Sequence, residues 1–135
     1  MGCSQMRMSP FALLATLAIG TGATSSWAHH SGAMFDAAKT VTLQGTVKEF
    51  QWSNPHCWIQ LIVVDDSGAM EEWSIEMPSP TGLARVGWQR VSLHPGDKIT
   101  AQIHPLKTGE KGGGYVSVLL PDGRTLPIRN PAGER

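Results

Sequence analysis

Charge is scarce in this 135-residue chain, and neither sign prevails. Charged residues make up 16% of it, with 11 basic side chains set against 11 acidic ones. Such balance excludes a strongly basic nucleic-acid binder and an acidic solvating tail. Cysteine is nearly absent, with only Cys3 and Cys57, so no disulfide framework holds the fold. Long apolar runs are missing too. The longest, Phe11-Ala-Leu-Leu-Ala-Thr-Leu-Ala-Ile19, falls well short of the roughly 20 residues needed to cross a bilayer core. No serine sits in a nucleophile elbow, and no His-Glu-x-x-His or paired-cysteine motif occurs. A non-enzymatic role is expected on that account. Turn residues, by contrast, are plentiful: 15 Gly and 9 Pro favour short strands over long helices.

The N-terminal segment reads as an export signal. Arg7 precedes the apolar run, small residues fill Gly20 to Ser26, and Ser26-Trp27-Ala28 has small residues at the two positions a signal peptidase reads. Cleavage after Ala28 is expected, giving a periplasmic or secreted protein that begins at His29 and carries no transmembrane anchor. Cys3 and Arg7 leave with residues 1–28. Cys57 then has no partner, and burial in the core is the favoured reading for it.

Beyond the signal, hydrophobic period two dominates. Val41, Leu43, Gly45 and Val47 share one face of a first strand, and the parity flips before Phe50 and Trp52. The flip predicts a bulge at Lys48 or Glu49. A second strand runs from His56 to Asp65 with Cys57, Ile59, Leu61 and Val63 on one face. A third runs from Glu71 to Met77 with Trp73, Ile75 and Met77 inward. Ser79-Pro80 caps a short helix that Gly87 closes. Lys98–His104 is a fourth strand, residues 105–114 a glycine-bearing loop, Tyr115–Leu120 a fifth strand, and a short tail follows. Three strands, a helix, then two strands predict an all-β domain of the five-stranded, OB-like Greek-key barrel type. A small β-sandwich is the alternative. The expected organisation is a signal peptide at 1–28, an N-terminal arm at 29–40, the barrel at 41–128 and a tail at 129–135.

A set of ordered motifs runs along the chain: Ala28-His29-His30-Ser31, Phe35-Asp36, Leu43-Gln44-Gly45-Thr46-Val47, Asn54-Pro55-His56 with Trp58, and Ser79-Pro80 with Leu83, Arg85, Gly87 and Trp88. It extends through Pro95-Gly96-Asp97, His104-Pro105-Leu106 and Leu120-Pro121-Asp122-Gly123. In these motifs the chain resembles a bacterial family of small exported proteins known only as a domain of unknown function. Export and a compact β-domain are implied; no activity is.

Candidate chemistry rests on histidine. Cleavage after Ala28 would free the His29 amine, which with its imidazole could chelate a transition metal; His30 could add a second ring. Copper is the favoured ion for such nitrogen-rich sites. His56 and His104 fall where loops border the usual OB binding surface and complete the set of metal candidates. Each also has a plain structural reading, a ring that ties down a turn. His94, beside Pro95-Gly96, reads as a solvated turn residue. Trp58 and Gln60 share the His56 face and are candidate ligand contacts. Burial of Trp58 under the arm is the competing expectation. Glu72 and Glu76 lie about 13 Å apart along one strand, too far for a paired acid and base, and read as a solvated face. Two functions remain open: an exported metal- or ligand-binding module, and an accessory protein docking a periplasmic or membrane partner through the barrel face.

Overall fold

The computed structural model describes residues 1–2 and 31–127. The expected signal peptide with its cleavage site, His29, His30 and the tail 129–135 lie outside the described residues.

A 3-10 turn, Ser31–Met34, leads into six strands: β1 (Val41–Gln51), β2 (Cys57–Val64), β3 (Met70–Met77), β4 (Lys98–Pro105), β5 (Gly112–Leu119) and β6 (Thr125–Pro127). One short helix, α1 (Pro80–Ala84), stands between β3 and β4. The strand order is β3-β2-β1-β4-β5-β6, and β3 also pairs with β5. That last pairing is parallel and joins Ser74–Glu76 to Gly112–Gly114, so β1 to β5 close into a five-stranded barrel. The OB-like expectation therefore holds, and the sandwich alternative does not. No helix among the described residues is long and apolar enough to cross a membrane.

Alternation decides what the barrel encloses. Leu43 and Val47 of β1, Cys57, Ile59 and Leu61 of β2, and Ile75 and Met77 of β3 are buried. So are Ile99, Ala101 and Ile103 of β4, with Leu83, Trp88 and Leu93 from the helical connection. Each fully buried aliphatic chain contributes about 1.5–3 kcal/mol relative to exposure. The register of β1 on β2 shifts between Val47 and Glu49, which puts the predicted bulge at Lys48 and turns Phe50 inward against Trp88, 5.7 Å away between ring centres. Gly45 allows the barrel to bend, because a Cβ there would lie 2.4 Å from the Ile62 carbonyl oxygen. Ser79 caps α1, its hydroxyl accepting from the Gly82 N–H at 3.3 Å, and Gly87 leaves the helical stretch at φ +97°.

Three local expectations need correction. Residues 112–114 are strand, not loop. Their glycines serve close approach: a Cβ would stand 2.9 Å from Ser74 O at Gly112 and 2.5 Å from His104 O at Gly113. A tail was expected after the Pro121-Asp122-Gly123 turn, but Thr125–Pro127 folds back on β5 as β6. A Tyr115 hydroxyl that donates to the Leu126 carbonyl pins it there. Trp73 has core parity yet is only partly buried; its Nε1 donates to Glu71 at 3.2 Å and Lys111 Nζ stands 5.3 Å over its ring.

Candidate functional site

Register, more than sequence distance, assembles the site. Trp58 lies opposite Glu76, Glu76 opposite Gly114, and Gly114 opposite His104. Strands sit about 4.8 Å apart, so these four residues form one row across β2, β3, β5 and β4 on the outside of the barrel. Gly114 contributes no side chain and leaves a gap between Glu76 and His104. Phe35 from the arm fills one side of that gap so closely that a Cβ at position 114 would stand 2.9 Å from its ring. What remains is an open cleft of about 290 Å³, walled mainly by apolar atoms, with His56, Glu76 and His104 among its lining.

The arm is tied to β4 and the β4–β5 connection. Asp36 N–H donates to Pro105 O at 2.8 Å, Lys107 N–H to Met34 O at 3.0 Å, and Lys107 Nζ to Ala33 O at 2.8 Å. Phe35 forms an isolated antiparallel bridge with Leu106. Asp36 is held below the usual carboxylate range by its hydrogen bond from Lys39, 2.9 Å away.

Both cleft histidines are oriented through Nδ1. His56 Nδ1 lies 2.7 Å from Glu76 Oε1, with the His56 side chain 35% and the Glu76 side chain 12% exposed. His104 Nδ1 lies 2.7 Å from the Lys39 carbonyl oxygen. A carbonyl or carboxylate oxygen can only accept, so each Nδ1 carries a proton, and in the neutral tautomer that this selects the lone pair sits at Nε2. Neither Nε2 has a hydrogen-bond partner among the described residues. Metal-ligating histidines are commonly oriented this way, through the ring nitrogen that does not bind metal.

The other candidates fall elsewhere. Trp58 and Gln60 are half-buried on the outer face, Gln60 opposite Ser74, and neither lines the cleft. The described part of the arm runs along residues 104–107 and Gly114, and none of its hydrogen bonds reaches Trp58. His94 is exposed in its turn, its N–H donating to Asp97 at 2.8 Å. Cys57 is fully buried, and desolvation pushes its thiol pKa up. Among the described residues no three His, Cys, Asp or Glu side chains gather closely enough to hold a metal ion. The described residues thus hold no metal cage; His56, paired with Glu76, and His104 line the same cleft as separate rings.

Sequence reasoning missed Glu76, Phe35 and Gly114. Glu76 is no bare strand face: it is the partner of His56. Its signal was parity, since Glu76 points outward at the end of β3 while His56 points outward at the start of β2. The contact of Phe35 with Gly114 left no local signal.

A family model matches residues 17–115, which include Phe35, His56, Glu76, His104 and Gly114. The chain belongs to DUF6152, a family of unknown function. The second half of β5 and all of β6 lie beyond the matched span of this DUF6152 chain. No curated protein and no solved structure matches it.

Proposed function

We propose that this chain is an exported, non-enzymatic periplasmic binding module that holds a transition metal, copper by preference, at the cleft between arm and barrel. His56 and His104 supply Nε2 donors; Glu76 and the Lys39 carbonyl orient them. One observation carries this: two imidazoles line one cleft, each engaged at Nδ1 and each leaving Nε2 without a partner among the described residues. Imidazole suits several divalent ions, and the Irving–Williams order puts Cu(II) highest among them. Two donors leave coordination positions open. His29 and His30 are the proposed source of further nitrogens, and Gly32, two residues beyond His30 in the chain, lines the cleft. Export rests on the charge, apolar run and small-residue junction of residues 1–28.

The test is a Cu(II) titration of protein beginning at His29, with a competing chelator setting the affinity scale. His56→Ala with His104→Ala should weaken binding at least tenfold, and His29→Ala with His30→Ala should weaken it independently. Glu76→Gln, which preserves shape, should cost about 10–100-fold, the usual penalty for removing an orienting partner. Unchanged affinity in the His56/His104 double variant refutes the cleft as the site. The docking alternative is favoured by Trp58, which stands in the same row but outside the cleft. A periplasmic partner lost on Trp58→Ala, with copper binding absent in the unaltered protein, would support docking.

A further inference from the structure

We infer that the cleft takes a small organic amine. Its ammonium group sits over Gly114 between the Glu76 carboxylate and the His104 ring, and its apolar body lies against Phe35, Met77 and Pro78. The inference uses the described residues alone and does not rest on the metal reading.

The polar side chains of the cleft are acceptors. Of those that line it, only His56, Glu76 and His104 are open to a ligand, since the Tyr115 hydroxyl is engaged inside the barrel by Trp88 and the Leu126 carbonyl. With Nδ1 of each ring turned to an oxygen, the neutral imidazoles have only their Nε2 lone pairs left. The carboxylate that takes His56 through Oε1 still has acceptor capacity at Oε2. A ligand held by these groups must donate. Its charge follows from the same lining. Among the described residues Glu76 is the only carboxylate that lines the cleft, no lysine or arginine does, and a neutral His56 ring does not cancel the negative charge. An anionic head group is repelled there and a cationic one attracted.

Shape separates this ligand from a bare ion. A metal ion needs its donors gathered about one point, and among the described residues these side chains do not gather so. Glu76 and His104 stand instead on either side of Gly114, two strand spacings or about 10 Å apart along the row. The side chain that Gly114 lacks is what leaves room for an ammonium nitrogen between them. Beyond it the walls are mainly apolar, and the volume of about 290 Å³ lies at the small end of ligand pockets, which suits one ring on a short alkyl arm. Hydrogen bonds from a charged donor are about twice as strong as neutral ones, so an ammonium head outbinds a hydroxyl on the same body.

Three probes that share a ring and an alkyl arm but differ in head group test this: phenethylamine, phenethyl alcohol and phenylpropionate. Each is titrated calorimetrically at pH 8 into protein beginning at His29. A metal and an amine would compete for the same His104 lone pair, so EDTA is present throughout. A failed amine titration then leaves the copper reading standing, and a failed copper titration leaves the amine site standing. Phenethylamine should bind about tenfold more tightly than the alcohol, the factor that separates a charge-assisted from a neutral hydrogen bond. Phenylpropionate should not bind. Glu76→Gln removes the charge and keeps the shape, so it should erase the preference for the amine and leave the alcohol affinity unchanged. Ala37→Lys puts a cation on an exposed wall residue, away from the core, and should weaken the amine about fivefold while admitting phenylpropionate. Alcohol binding as tight as amine binding overturns the inference, as does saturable phenylpropionate binding by the unaltered protein. An amine affinity unmoved by both substitutions overturns it equally, and so does the absence of phenethylamine binding at millimolar concentration.

Discussion

Replacing Tyr115 by Phe should cost far more than a single hydroxyl suggests. Tyr115 is 2% exposed and its hydroxyl serves two buried groups, accepting from Trp88 Nε1 at 2.9 Å and donating to the Leu126 carbonyl. Trp88 itself is 1% exposed, so its N–H cannot turn to water once the oxygen is gone. An orphaned buried polar group costs about 1–3 kcal/mol, and here a donor and an acceptor are orphaned together. The expected loss is about 2–4 kcal/mol. With a urea slope near ~1.5 kcal/mol/M for a domain of this size, the midpoint falls by about 2 M. Equilibrium unfolding followed by tryptophan fluorescence measures it. Trp88→Phe supplies the control: in that background the same hydroxyl should be worth at least about 1 kcal/mol less, because one of its partners is already missing. A loss under ~1 kcal/mol, or the same loss in both backgrounds, would refute the bridging role. Burial also raises the Tyr115 pKa far above its ordinary value of about 10. The unfolded chain releases this proton near pH 10 while the folded chain keeps it, so stability should fall as pH rises above 10, and Tyr115→Phe should lack that slope.

Gly113→Ala should lower stability by about 2–3 kcal/mol, seen as a melting point reduced by about 10 °C or more, since the new Cβ meets the His104 carbonyl oxygen at 2.5 Å and cannot move past backbone. A melting point within 2–3 °C of the parent would contradict that close approach. The Cys57 thiol, fully buried and with its pKa raised by desolvation, should resist a disulfide reagent in the folded protein and react fully in denaturant. Rapid labelling of folded protein would show the barrel open at β2. Acid should destabilise the fold below about pH 4. The Ser67 hydroxyl holds the Asp65 pKa below 3.8, and the Arg124 N–H does the same for Asp122. The unfolded chain takes up these protons first, so the stabilisation is present above about pH 4 and is lost as pH falls through the folded values. Asp65→Asn should flatten that acid limb, and an unchanged limb would remove Asp65 from the account.

Strand alternation, the parity flip at Lys48 and the Ser79-Pro80 cap were all legible in the amino-acid sequence, because each is a local matter of period, branching and backbone permission. The outward direction of His56, Trp58 and Glu76 was legible too, since parity alone decides it. Which outward residues become neighbours was not, because that depends on register across strands far apart in sequence. Tertiary structure alone paired Glu76 with His56, set Gly114 between Glu76 and His104, and brought Phe35 onto that glycine. The glycines at 112–114 show the divide most clearly. As a sequence they signal a loop, since glycine weakens an isolated strand. In the closed barrel they are the residues small enough to let β5 run against β3, β4 and the arm at once. The composition thus determined a neutral, disulfide-free β-domain rich in turns, and closure of the barrel decided which of its side chains meet, because only closure fixes the partner on the far side of each strand.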